Sequence, residues 1–248
     1  MEEKFLILPE NDEDMPIEID AETNNHYLAL NNIFNELFPI HSLSLAKQTS
    51  KEERDQKHIN DPSFVYGEVT FRSMCYINEY ITEVFKNQII DGNFYDLGSG
   101  TGKAVIAMSL IRKFKKCIGI EYLENLTALS KRFEENYNKK ILEVIEDEKL
   151  FKGFNKKPNI IEFVNGDFLK RGWSEASVIL MNSTCFTIDL INKIAIKANK
   201  ECKSGCIIIS FTKNLSSLSK EYWEFKEGFK RNMTWGSAMF IEKNNFCD

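Results

Sequence analysis

The stretch that most restricts how this chain can fold runs from Asn93 to Gly102, NFYDLGSGTG, and leads straight into an apolar segment. Phe94, Tyr95 and Leu97 form a short apolar run suited to a buried strand. Gly98, Gly100 and Gly102 permit a sharp turn and the close approach of a ligand to the backbone. From Lys103 to Phe114, the residues Val105, Ile106, Ala107, Met108, Leu110 and Ile111 recur at helical spacing. The reading is strand, glycine turn, helix. The glycine spacing excludes two phosphate sites. A dinucleotide fingerprint needs its third glycine at i+5, where Lys103 stands; a phosphate loop needs Gly-Lys followed by Ser or Thr, and Ala104 follows Lys103. The turn suits a nucleoside ligand without a pyrophosphate, against the plainer alternative of a glycine-rich loop on a parallel sheet.

The 248 residues suffice for one large domain, or one domain with a small lobe. The net charge of −5 is uneven: residues 1–20 hold eight acids against Lys4, and the remainder carries 29 acids and 31 bases. An acidic end of this kind is a solvated tail or a contact for a basic partner. The basic clusters, Lys113 to Lys116, Lys139-Lys140 and Lys156-Lys157, are short, so there is no strong direct DNA-binding signal. No apolar run approaches the ~20 residues of a membrane span, and the N-terminus lacks a secretory signal, so no membrane partner is expected. The six cysteines contain no CxxC pair, and Cys202 and Cys206 have no histidine nearby. No metal site is expected; free thiols point to a reducing, intracellular compartment.

Taken in order, residues 1–25 read as an acidic, partly disordered segment, with Phe5 to Leu8 a candidate edge strand. Residues 26–60 read as a small helical lobe broken at Pro39, with Ser50 to His58 a polar helix end or loop. The remainder, 61–248, reads as the α/β domain. Asp61 to Thr70, DPSFVYGEVT, precedes a helix from about Thr70 to Asn87, so this loop is placed to fold over a ligand at the glycine turn. The plain reading of the same loop has Thr70 capping the helix and Glu68 merely solvated. A second strand, Cys117 to Ile120, ends in Glu121, an acid that can accept both ribose hydroxyl protons. A long helix follows over Leu126 to Leu150. A third strand, Ile160 to Val164, ends in Asn165-Gly166-Asp167-Phe168; a carboxylate for an exocyclic amine beside an aromatic ring suits adenine. Trp173 reads as packing. A fourth strand, Ser177 to Met181, ends at Asn182 and Phe186, at the sheet edge where open α/β folds do their chemistry. A helix over Thr187 to Lys200, a fifth strand over Cys206 to Phe211 and a closing antiparallel hairpin complete the chain.

These residues resemble the non-SET histone H3 lysine methyltransferases, the disruptor-of-telomeric-silencing (DOT-one) family of class I S-adenosylmethionine (AdoMet) methyltransferases. Five stretches carry the resemblance, in order: Val65-Tyr66-Gly67-Glu68-Val69-Thr70; Asp96 to Gly102; Gly119-Ile120-Glu121; Gly166-Asp167-Phe168-Leu169 with Trp173; and Val178 to Asn182 with Phe186. Thr234-Trp235-Gly236 echoes a tryptophan motif near that domain's end. The resemblance implies a class I, Rossmann-like fold: a seven-stranded, mostly parallel sheet with helices on both faces. It implies S-adenosyl-L-methionine as cofactor. Glu68 would hold the methionine amino group, with Tyr66 and Thr70 in the pocket. Asp96 and the backbone at Gly98 and Gly100 would seat the methionine portion, Glu121 the ribose, and Asp167 and Phe168 the adenine, with Gly102, Lys103 and Asn182 also among the cofactor-binding residues. Asn182, Phe186 and Trp235 would flank a lysine channel. The implied activity is methylation of histone H3 in its globular core, in the nucleus, by a chromatin regulator acting on the nucleosome.

The chain departs from the family in places. The usual Asn-Asn-Phe-Ala-Phe stands here as Asn-Ser-Thr-Cys-Phe, the usual glutamine after the glycine turn is Lys103, and no basic extension for nucleosomal DNA is present. Two alternatives follow: a class I methyltransferase for a non-histone protein lysine or a small amine, cytoplasmic in that case, and a cofactor-binding module without turnover.

Overall fold

The structure, a computed structural model, describes residues 4–7, 17–85, 92–213, 215, 223–231 and 237–244. Trp235, with Thr234 and Gly236, lies outside the described residues. Strands β1 (Lys4–Ile7) and β2 (Ile17–Asp20) pair antiparallel as a separate ribbon, so the candidate edge strand near Phe5 does not extend the main sheet. Helix α1 (Ala21–Leu37) begins earlier than the residue 26 expected, because Asp20 caps it: the Thr23 N–H donates to Asp20 Oδ1 at 2.7 Å. Helix α2 (Ser42–Gln56) takes in much of the segment expected as a polar helix end. Helix α3 (Phe71–Phe85) follows the loop over 61–70.

The remaining elements alternate. Strand β3 (Asn93–Leu97) leads through the glycine turn to α4 (Lys103–Ile111), then β4 (Lys116–Glu121), α5 (Glu124–Val144), β5 (Ile160–Asn165), β6 (Ala176–Met181), α6 (Ile188–Glu201), β7 (Ile207–Phe211), β8 (Trp223–Arg231) and β9 (Ser237–Asn244). Helix α5 stops short of the Leu150 expected, because Asp147 accepts the N–H groups of Lys149 and Leu150 and offers the chain a turn instead. The main sheet has the order β5-β4-β3-β6-β7-β9-β8. Its first five strands run parallel, and β9 and β8 close the edge antiparallel. The chain builds outward from β3 to β5, then returns to β6 on the other side, which makes the β3–β6 gap the switch point of the sheet.

The period-2 alternation of the strands divides the core in two. Phe94, Val178, Leu180, Ile207 and Ile209 face α1, α3, α4 and α5. Tyr95, Leu97, Ile179, Met181 and Ile208 face α6 and the buried Trp173 and Trp223. Helix α4 is buried along its whole length after Lys103, and a helix apolar all round needs cover on every side. Residues of α1 and α3 supply that cover, so Leu30, Ile33, Phe34 and Leu37 pack into the same core as α4. Beneath them, Arg112 Nε donates to Asn78 Oδ1 at 2.6 Å and Asn78 Nδ2 to the Tyr27 hydroxyl at 2.8 Å, tying the end of α4 to α3 and α1.

Candidate active site

The carboxyl ends of β3, β4, β5 and β6 meet the loop over 61–67 around a cavity of about 480 Å³. Its lining includes Tyr66, Gly98, Gly100, Glu121, Asp167, Phe168, Asn182 and Phe186. Glu68, Thr70, Asp96, Gly102 and Lys103 are not among the residues that line it.

The glycine turn is built by backbone geometry. Gly98, Gly100 and Gly102 have φ of +84°, +54° and +82°, a left-handed region that side chains disfavour. Gly102 also has no room for a side chain: a Cβ there would lie 2.2 Å from the Phe163 ring. The turn hangs from the neighbouring strand, because Gly98 and Ser99 both donate N–H to the Ile120 carbonyl.

Glu121, at the end of β4, is buried and holds the turn from the other side. Its Oε2 accepts the Gly100 N–H and its Oε1 the Leu123 N–H, each at 2.8 Å. A carboxylate offers about four acceptor positions, so lone pairs remain on both oxygens for a ligand in the cavity. Burial pushes the Glu121 carboxyl up, opposed by these backbone N–H groups. Asp96 is fully buried beside it; burial and the Glu121 charge push its carboxyl up to about 8.

Across the cavity, Asp167 Oδ1 accepts the Leu169 N–H at 2.8 Å and shapes the turn after β5. The Trp173 indole donates to the Phe168 carbonyl at 2.9 Å, so the tryptophan packs, as expected, and also fixes the aromatic turn. Phe168 stacks on Phe186, with ring centres 6.0 Å apart at 27°. Asn182 lines the cavity with its Oδ1 buried and without a hydrogen-bond partner. A buried acceptor in that state is an open position for a donor.

The loop over 61–70 closes the cavity. Phe64 packs on Tyr122, with ring centres 5.1 Å apart, and the Thr187 N–H donates to Ser63 Oγ. The Tyr66 ring lies over Gly100, where a Cβ would come within 2.5 Å of it. Thr70 acts as a cap for α3, accepting the Ser73 N–H at 3.2 Å. Glu68 is not solvated, as the plain reading of this loop had it; it is buried and paired with Lys103.

Three features of the site escaped sequence reasoning. Glu53 of α2 is buried and accepts the Glu124 and Asn125 N–H groups at 2.8 Å, capping α5 from a distant helix. Ser183 donates from its buried hydroxyl to the Phe211 and Lys213 carbonyls. Lys213 in turn donates to the Phe186 carbonyl, so the turn that presents Asn182 and Phe186 is clamped to the end of β7. Among the described residues no cluster of side chains suits a metal ion, and no helix is long and apolar enough to cross a membrane.

The sequence profile described as "Histone methylation protein DOT1" matches residues 49–231. A histone-lysine N-methyltransferase of Caenorhabditis elegans, named as H3 lysine-79 specific, is 31% identical over 136 residues. That match takes in 52% of this chain and only 13% of the length of the relative. Among solved structures, a SAM-dependent methyltransferase from Thiobacillus denitrificans, in complex with S-adenosyl-L-homocysteine, superposes with a TM-score of 0.50 at 12% identity over 78% of this chain and 96% of that one. A putative RNA methyltransferase from Pyrococcus horikoshii superposes with the same TM-score at 13% identity, over 80% and 100%. These structural likenesses establish the class I methyltransferase fold, a Rossmann-like α/β sheet. With the family profile spanning most of the α/β body, the chain belongs to the histone methylation protein DOT1 family.

Proposed function

We propose that the chain is an S-adenosyl-L-methionine-dependent protein-lysine N-methyltransferase that acts on histone H3 within the nucleosome, in the nucleus. The observation that carries the reading is the single cavity at the switch point, which gathers Gly98, Gly100, Glu121, Asp167, Phe168, Asn182 and Phe186 from four strand ends. The donor set fits the cofactor. Glu121 keeps free lone pairs for two ribose hydroxyls, Asp167 and Phe168 offer an acceptor and a ring to adenine, and the left-handed glycines let the backbone approach closely. When bound, the cofactor supplies an electrophilic methyl group on a sulfonium.

The chain's own residues have three tasks. The clamped turn from Asn182 to Phe186 aligns the amine with the cavity, because Ser183 and Lys213 fix its backbone. Phe186 and Phe168 give the approach an apolar wall. A lysine amine with a solution pKa of ~10.4 reacts only when neutral, and an apolar wall penalises its charged form. The buried Asn182 Oδ1 can accept an N–H from the incoming amine or from the amino-acid end of the cofactor. The name of the Caenorhabditis elegans relative motivates H3 as substrate.

The test is label transfer from radioactive AdoMet onto recombinant nucleosomes, free histone octamer and whole-cell extract in parallel. The reading predicts label on H3 that is lost in Asn182→Ala. Label confined to an extract band moves the substrate to another protein or amine, a reading favoured by the altered residues Ser183 to Cys185. No label anywhere refutes the activity.

A further inference from the structure

Helix α2 is buried without an apolar stripe. Its buried residues are Ser42, Ala46, Ser50 and Glu53, and Glu53 is only 1% exposed. A carboxylate taken out of water is costly unless donors replace the water it loses. Glu53 finds them by reaching across to α5. Its Oε1 accepts the Glu124 N–H and its Oε2 the Asn125 N–H, each at 2.8 Å, and Lys57 Nζ lies 2.6 Å from Oε1. The start of α5 needs an acceptor from outside, because its cap residue is Leu123, whose side chain has no oxygen. The negative charge also sits at the positive end of the helix dipole.

The segment that Glu53 holds is a wall of the cavity. Tyr122, Leu123 and Leu126 line it, and Glu121 takes the Leu123 N–H on one oxygen and the Gly100 N–H on the other. The N–H groups of residues 123, 124 and 125 are therefore taken in succession by two buried carboxylates, Glu121 from the cavity side and Glu53 from behind. Ala46 of α2 packs with Leu123 and Leu126, against Phe64 and Tyr66 of the covering loop, and Ser50 Oγ lies 3.5 Å from the Phe64 carbonyl. One helix thus backs both the ribose side of the cavity and the loop that closes it. Resting on the cofactor reading above, we propose that Glu53 is a positioning residue for the ribose. It fixes the first turn of α5, that turn fixes the Glu121 carboxylate through the Leu123 N–H, and the carboxylate then meets the ribose hydroxyls in one orientation. Glu53 itself touches no ligand. Without it, the Glu124 and Asn125 N–H groups lose their partner, the turn loosens and Glu121 loses its aim.

A double-mutant cycle read by calorimetry of S-adenosyl-L-homocysteine tests this, with wild-type protein, Glu53→Ala, Glu121→Gln and the double variant. Glu53→Ala is expected to weaken binding by about 10-fold where Glu121 is present, and by less than about twofold in the Glu121→Gln background. A second cycle uses Glu53→Gln, which keeps one acceptor for the first turn and guards against misfolding. It is expected to lose about threefold with Glu121 present and to show the same dependence on Glu121. Equal losses in the two backgrounds, the result for a purely structural cap, or unchanged affinity in Glu53→Ala, overturn the positioning role and leave the adenosyl site intact. A wild-type protein that does not bind the ligand overturns the cofactor reading and the positioning role with it.

Discussion

The cavity has two halves built in different ways. In the half assigned to the nucleoside, side chains are fixed by backbone groups of nearby strand ends: Glu121 by the Gly100 and Leu123 N–H groups, Asp167 by Leu169, and the Phe168 carbonyl by Trp173. In the half assigned to the amino-acid end and the substrate, side chains and loops far apart in sequence hold one another: Glu68 with Lys103, Tyr66 with Thr101, and Ser183 and Lys213 across the end of β7. Backbone-fixed groups leave little room for variation, because each doubles as a support of the fold. Contacts between distant side chains can change one pair at a time. The departures from the family pattern noted within the site, at Lys103 and at Ser183 to Cys185, fall in the second half.

If this contrast holds, substitutions in the glycine turn and at the backbone-fixed groups beside it cost stability as well as binding. Gly102→Ala has the largest expected effect: strain at φ +82° and a clash with Phe163 together cost about 3 kcal/mol, read as a lower urea midpoint at unchanged m. Glu121→Ala orphans two N–H groups and is expected to cost about 2–3 kcal/mol by the same measurement; an unchanged midpoint would break the comparison.

A buried acid at the end of β3, beside Glu121, adds a pH dependence. Asp96 has a folded-state pKa of about 8, raised from an unfolded value near 3.8. The unfolded chain therefore ionises this group first, and stability falls as pH rises from about 4 through about 8, with a slope of up to about 1.4 kcal/mol per pH unit. Asp96→Asn is expected to flatten that slope in urea titrations at pH 5 to 8.5; an identical slope in the variant removes Asp96 as its source.

The smallest expected effect sharpens the contrast from the other side. Ser183→Ala loses a buried hydroxyl that serves two carbonyls, at about 1 kcal/mol of stability. It is expected to slow methyl transfer while leaving S-adenosyl-L-homocysteine affinity within about twofold. Equal damage to both readouts would join the two halves into one unit.

What the sequence disclosed follows the same division. The turn from Asp96 to Gly102, the acid at Glu121 and the Asp167–Phe168 pair are contiguous or at short fixed offsets from a strand, so period and spacing locate them. The Glu68–Lys103 pair joins residues 35 apart, and Glu53 meets Glu124 across 71. No local pattern encodes such meetings; they exist only once α2 packs on α5 and the loop folds onto the glycine turn. Thr70 illustrates the reverse case. Its local signal was that of a helix cap, and in the structure it caps α3.

The proposed function rests on this cavity being an adenosyl site held by Glu121, Asp167 and Phe168. Calorimetry of S-adenosyl-L-homocysteine with wild-type protein and Asp167→Ala tests it most directly. Calorimetry is expected to show one site per chain in the wild type and an affinity lower by about 10-fold or more in Asp167→Ala, which stays folded but melts a few degrees lower for the lost Leu169 contact. No binding by the wild type, or equal affinity in the two proteins, would contradict it.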